Sequence, residues 1–203
     1  MNIGSTSPRP VGRPREFDMN QALDAAIRIF SEKGYHGTSI AELKAEMGLT
    51  AGSIYKAFRD KRDVFVAAYD RYKQIRADLL DQALSSASTG REKIARVVRF
   101  YAMSACGETG RRGCLAIGAA VELVLSDTVI ADKVGGHNRK LAARLEGFVR
   151  DGQLDGSIRQ DVDPAPTALA LFSYLQGVRI AGKTGELENQ MLPSAEALLR
   201  ILD

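Results

Sequence analysis

The chain has no tryptophan, and only two cysteines and two histidines among its 203 residues. Two thiols are too few for a disulfide scaffold. His36 and His137 lie far apart in the sequence, with neither metal-ligand spacing nor a triad partner, so the sequence offers no metal site, no cofactor site and no catalytic constellation. Strand signals are almost absent, and no internal repeat appears. The longest apolar run, Cys114 to Leu125, is interrupted by Glu122 and is too short to cross a bilayer. The opening stretch MNIGSTSPRPVGRPREFD lacks the apolar core of a signal peptide. The expectation is a cytoplasmic, non-enzymatic protein with no membrane contact. Net charge is small as well, at +3 with a pI near 8.9, although 26% of residues are charged. Met1 to Arg62 holds ten Lys/Arg against seven Asp/Glu, which is 10 − 7 = +3, so this stretch alone equals the net charge of the chain. A local bias of that kind points to a polyanion-facing end.

What remains is helical period. Residues 1–16, rich in Pro, Gly, Ser and Arg, read as a mobile basic tail. Asp18 can cap a first helix whose Met19, Leu23, Ala26, Ile27 and Phe30 share a face, and Gly34 ends it. Ser39 with Glu42 is a capping-box pair opening a short second helix that stops at Gly48. Thr50 can cap a third through Phe58, and Asp60 with Asp63 starts a long fourth to about Leu84. A break at 85–90 precedes helices expected at 91–107, 113–126, 128–151, 165–183 and 194–202, with a loop at 151–166. The class is all-α, divided into a 1–16 tail, a 17–62 head and a 63–203 body.

Leu43, Met47, Leu49, Ile54 and Ala57 have the spacing to pack two short helices across a turn at Gly48. That arrangement suits a helix-turn-helix, in which one helix braces while the next enters the major groove of DNA. The second helix leaves Thr50, Ala51, Ser53, Tyr55 and Lys56 on its other faces, which are groups suited to base edges and phosphates. Arg59, Lys61 and Arg62 follow at the start of the next helix, where backbone N–H groups also favour a phosphate. The competing reading is a structural helical corner with a solvated charged face. In the tail, Arg13 and Arg15 of "GRPR" have the pattern of an arm that inserts cations into a narrow minor groove. A basic tail with only nonspecific attraction fits equally.

"GYHGTSIAELKAEMGLTAGSIYKAFRDKRDVF", Gly34 to Phe65, resembles the signature of the TetR family of bacterial transcriptional repressors. It has Gly-Tyr and Thr-Ser before the helix, Gly at the turn, then Ser-hydrophobic-Tyr-x-x-Phe and Lys. The resemblance implies three DNA-binding helices joined by a long fourth to a ligand-binding, dimerising body. The implied partners are a double-stranded DNA operator, a small organic inducer and a second copy of the chain. On the family pattern Thr38, Tyr55 and Lys61 touch phosphates, with Ser39 at the same surface, and Ala51, Gly52, Ser53 and Lys56 approach bases. Lys44 stands where the family's turn packing usually takes a small residue.

Two motifs compete with this reading. "GVRIAGKT", Gly177 to Thr184, matches the phosphate-loop pattern G-x-x-x-x-G-K-[ST] of nucleotide hydrolases, but the upstream segment reads as a helix and not as the buried strand such a loop requires. Cys106 and Cys114 flank Arg111 and Arg112, cations that could activate a thiol-based redox switch; buried, inert thiols are the alternative. In the body, Phe100, Tyr101, Met103, Cys106, Phe148 and Tyr174 are expected to enclose a pocket for an uncharged or weakly polar ligand, or else to fill a solid core. Ala168 to Leu175 is apolar nearly all round, which requires cover on both sides. Phe172, Leu175 and Arg179, with Leu141, Leu145 and Phe148 on the preceding helix, are the expected four-helix dimer interface.

Overall fold

The computed structural model describes residues 18–49 and 56–202. Among them every regular element is helical. Helix α1 (Met19–Lys33) is capped by Asp18, whose carboxylate accepts from the Asn20 and Gln21 N–H groups. Helix α2 (Ile40–Met47) carries the complete capping box, in which the Ser39 hydroxyl accepts from Glu42 N–H and the Glu42 carboxylate accepts from Ser39 N–H. It stops at Gly48, whose left-handed φ of 64° satisfies the last carbonyls at a position where a side chain would be strained. Lys56 and Ala57 are helical, and Asp60 then caps α3 (Lys61–Leu84) through Asp63 N–H.

The body follows as α4 (Gly90–Ser104), α5 (Gly107–Arg112), α6 (Leu115–Glu122), α7 (Thr128–Asp155), α8 (Pro164–Ala181) and α9 (Glu188–Leu199). Three expectations fail here. The break after α4 holds the extra short helix α5, because positive-φ glycines at 107 and 113 interrupt the helical pattern on both sides. Helix α7 runs four residues past its expected end and stops at Gly156, which has a left-handed φ of 78°. Helix α9 begins before Pro193 and carries it inside. A proline there loses one helical hydrogen bond at a cost of about 3 kcal/mol, but Pro193 is exposed, while Met191, Ala195 and Leu199 bury themselves on the core.

Two apolar clusters organise the chain. The first joins Phe30, Leu43, Met47 and Phe58 to Val64, Phe65 and Tyr69 of α3, and continues into Leu115 and Ala119 of α6 and Ile130 of α7. The head core therefore does not close on itself at residue 62; body helices complete it. Phe65 meets Phe30 and Tyr35 edge-on, at ring distances of 4.9 and 5.2 Å. Arg71 of α3 grips Asp24 of α1 through two 2.7 Å hydrogen bonds. The second cluster packs Leu80 and Leu84 with α4, the later part of α7, α8 and α9.

The capping box of α2 yields a pH prediction. A hydrogen bond from Lys33, then those from Ser39, lower the Glu42 carboxyl from its ordinary 4.5 to about 2. A depressed carboxyl stabilises the fold above its unfolded pKa and loses that contribution as pH falls through the folded value. Glu42→Gln should therefore melt below wild type at neutral pH, and the gap should close between about pH 4.5 and about pH 2. Thermal unfolding of both proteins across that range checks it; a gap independent of pH would detach α2 stability from this charge.

Candidate nucleic-acid interface and the cavity behind it

The residues expected on DNA divide into three groups. Arg13, Arg15, Thr50, Ala51, Gly52, Ser53 and Tyr55 lie outside the described residues. Lys56 is exposed, one turn before α3. The others are already engaged within the protein. Thr38 is 1% exposed and its hydroxyl donates to Gly34 O at 2.7 Å, so it locks the α1–α2 turn and cannot reach a phosphate with its side chain. The Ser39 hydroxyl belongs to the capping box. Lys61 donates its ammonium to the Tyr35 and Thr38 carbonyls, at 3.0 Å each, and lies 4.2 Å from the Tyr35 ring centre. Its charge stays beside the turn, while its donors hold the turn in place.

The basic knot before α3 is similarly occupied. Arg59 makes a two-point ion pair with Asp63 at the surface, a solvent-screened contact that a phosphate can displace. Arg62 instead grips Asp127, the N-cap of α7, which is mostly buried. Arg62 is a strut from head to body. Lys44 is half-buried, and its carbonyl accepts from Leu49 N–H at 3.1 Å across the turn.

A body residue also reaches the α1–α2 turn. Glu122, the last residue of α6, accepts a 2.9 Å hydrogen bond from His36 N–H. Gly34 faces the same carboxylate so closely that an added Cβ would lie 2.2 Å from Glu122 Oε1. Its φ of 75° reinforces the need for glycine. A lone acid inside an apolar run was the available sequence signal for Glu122.

Behind this contact lies a cavity of about 240 Å³ between α3, α6, α7 and α8. Its walls include Tyr72, Lys73, Arg76, Tyr101, Cys114, Leu141, Phe172 and Arg179. Of the residues expected to line a pocket, only Tyr101 does so here. Met103 is 64% exposed, because it falls on the outer face of α4. Phe100 packs on the body core under the Arg76 guanidinium, with Cys106 and Phe148 elsewhere on the same core. The Tyr174 hydroxyl bonds Ser194 of α9 at 2.7 Å, beside a separate shallow groove. Tyr72, Lys73 and Arg76 were legible as a group, since they sit on one side of α3 at helical spacing.

The residues expected at a dimer interface do not share one exposed face. Leu145 and Leu175 are fully buried in the subunit's own core, and Arg179 points inward at 3% exposure. The outward face of α8 is Leu169, Ser173, Gly177 and Ile180, with Leu169 and Ile180 60% and 58% exposed. The all-round apolarity of α8 is real, but the inward half is the one read as interface.

The competing motifs are resolved by their backbone. Gly177 lies within α8 and Gly182–Thr184 forms a 3-10 turn, so no loop is present to wrap a phosphate. Gly182 is needed for close packing, since a Cβ there would lie 2.3 Å from Ala105 O. The two thiols sit in different surroundings. Cys106 donates to the Ala102 carbonyl, and burial with the nearby Glu188 raises its pKa. Cys114 caps α6 inside the cavity, 3.2 Å from the Tyr72 hydroxyl. Burial pushes the Cys114 thiol up, but Arg179, Tyr72 and the Ile117 and Ala116 N–H groups outweigh it and leave the thiol below its ordinary value. Arg111 and Arg112 do neither job, being paired with Glu188 and with Glu32 and Glu108.

With this geometry in view, comparison with known proteins is direct. Residues 22–68 match the model of bacterial regulatory proteins of the tetR family, and residues 90–191 match the tetracyclin repressor-like C-terminal domain. The HTH-type transcriptional repressor ComR of Escherichia coli is 28% identical over 195 residues, 94% of this chain and 91% of the relative. The transcriptional regulator AcuR of Cereibacter sphaeroides is 30% identical over 180 residues, 86% of this chain and 81% of the relative. Among solved structures, a cysteine mutant of the TetR family regulator CifR, complexed with a 26 bp double-strand operator DNA, superposes with a TM-score of 0.82. The two are 27% identical, and the match covers 94% of this chain and 100% of that one. The all-helical frame, the α2–Gly48 turn and matches to both halves lead to one conclusion: the chain belongs to the TetR family of bacterial transcriptional regulators.

Proposed function

We propose that the protein is a cytoplasmic, non-catalytic repressor that binds a palindromic operator as a homodimer and is released by a small molecule in the body cavity. The observation that carries this reading is the route from cavity to head. Helix α6 has Cys114 at the cavity at one end and Glu122 on the α1–α2 turn at the other. Buried Arg179 holds the Gly113 carbonyl immediately before α6 at 3.0 Å. A ligand that shifts α6 therefore acts on Gly34 and His36 without touching DNA, and its effect equals its differential affinity for the two arrangements.

In this reading residues 50–58 enter the major groove. Ala51, Gly52, Ser53 and Lys56 approach base edges, Thr50 and Tyr55 approach the backbone, and Arg13 and Arg15 extend toward the minor groove. Lys61 and Ser39 act at one remove, by fixing the turn that presents α2 to the backbone. Two subunits joined along α8 place their heads on half-sites one helical turn or a multiple apart.

Lys56→Ala should weaken operator binding by about 1–3 kcal/mol with helical circular dichroism unchanged. The operator comes from selecting genomic fragments with the purified protein; failure to enrich any palindromic fragment would contradict the repressor reading. For assembly, Ile180→Glu should give folded monomers in sedimentation, because the charge falls on the outward face of α8. Leu175→Glu should instead lose its fold, since that carboxylate would be buried in the subunit core. An unchanged dimer mass for Ile180→Glu moves the interface away from α8.

A further inference from the structure

The α3–α8 cavity has an unusual charge inventory. Lys73, Arg76 and Arg179 contribute to its walls, and no Asp or Glu is among the described residues that line it. Arg179 is the most constrained of the three. It is 3% exposed, Nη2 donates to Gly113 O at 3.0 Å, and Nε and Nη1 are buried without a partner. A buried guanidinium with unused donors is costly relative to water, so a native chain keeps one where something completes it. Arg76 donates to the Ser104 hydroxyl at 2.9 Å and stacks on Phe100, contacts that place it without neutralising it. Burial pulls the Lys73 ammonium below its ordinary value. Two phenols, Tyr72 and Tyr101, add hydroxyl groups to the same walls.

The rest of the lining is mainly apolar, including Ile117, Val134, Leu141 and Phe172, with the amide side chains of Asn138 and Gln176 as polar exceptions. We propose that this cavity takes a compact organic carboxylate, with its anionic group on Arg179 and its hydrocarbon part against this apolar wall. The inference rests on the ligand-released reading above and replaces the uncharged ligand expected from sequence with an anionic one. A carboxylate suits the site better than a larger or more highly charged group. Its planar pair of oxygens matches the guanidinium edge, and a single charge is the smallest one to desolvate. The Cys114 thiol is the internal rival for the same cation, since Arg179 is what most favours its ionised form.

The test compares acids with their own amides on the full-length protein. Butanoate, hexanoate, octanoate and benzoate, each beside the matching amide and an alkyl phosphate, are screened by thermal shift and then by calorimetry. At least one acid should raise the melting temperature while its amide does not. Arg179→Met should weaken that acid by about tenfold or more with helical circular dichroism unchanged. Cys114→Ser should bind the acid at least as well as wild type, because it removes the internal rival. Release of labelled operator is measured in parallel. Acids that bind through Arg179 without releasing DNA support this site and overturn the inducer reading. Amides that bind and release DNA as well as the acids overturn the carboxylate and keep the inducer reading. Binding of the alkyl phosphate alone, or a Cys114→Ser protein that binds no acid, also overturns the proposal.

Discussion

The α1–α2 turn from Gly34 to Thr38 is the constraint on which the rest of the molecule depends. Three elements hold five residues. Lys61 of α3 takes the Tyr35 and Thr38 carbonyls, Glu122 of α6 takes the His36 amide, and Thr38 closes the turn onto Gly34. Each contact satisfies a backbone group that would otherwise be stranded. Because one of the three comes from the body, the orientation of α2 is fixed by the start of α3 and the body together. The head core has the same property, since Leu115, Ala119 and Ile130 finish what α1 and α2 begin.

This shared construction explains how an eight-residue helix can matter more than its size suggests. α6 is too short to be stable alone, so its position reflects what surrounds it: Arg179 and Tyr72 at one end, Gly34 and His36 at the other. A second strut, Arg62 to Asp127, ties the first turn of α3 to the start of α7. The head is thus held at several points by elements that also border the cavity. Packed interfaces of this kind have discrete arrangements and do not yield smoothly, which is how a small displacement at one end becomes a change of state at the other.

Much of the frame was legible because it is local. Ser39 and Glu42, Asp60 and Asp63, Gly34 and Gly48 announce helix starts and stops through short-range hydrogen bonds and backbone conformation, and the structure places each where those rules put it. What could not be read is which half of an apolar helix faces inward. Leu175 and Ile180 are equally apolar in sequence, yet one is in the core and the other on the surface. The basic residues read differently in place for a related reason. Lys61 and Arg62 stand together in the string, but each also finds a partner across the fold. Arg179, read as an interface residue, turns inward to a cavity assembled from several helices. Such convergence leaves no signal in a local window.

The central claim is that cavity and head communicate through Glu122. The direct measurement is operator affinity for wild type and Glu122→Ala, which removes the acceptor for His36 N–H, each with and without the carboxylate that binds wild type most tightly. The account predicts that ligand weakens operator binding by wild type by about 5–150-fold, the usual range for coupled sites. In Glu122→Ala operator and carboxylate should still bind, while that factor falls toward one. An unchanged factor in the variant would contradict the account.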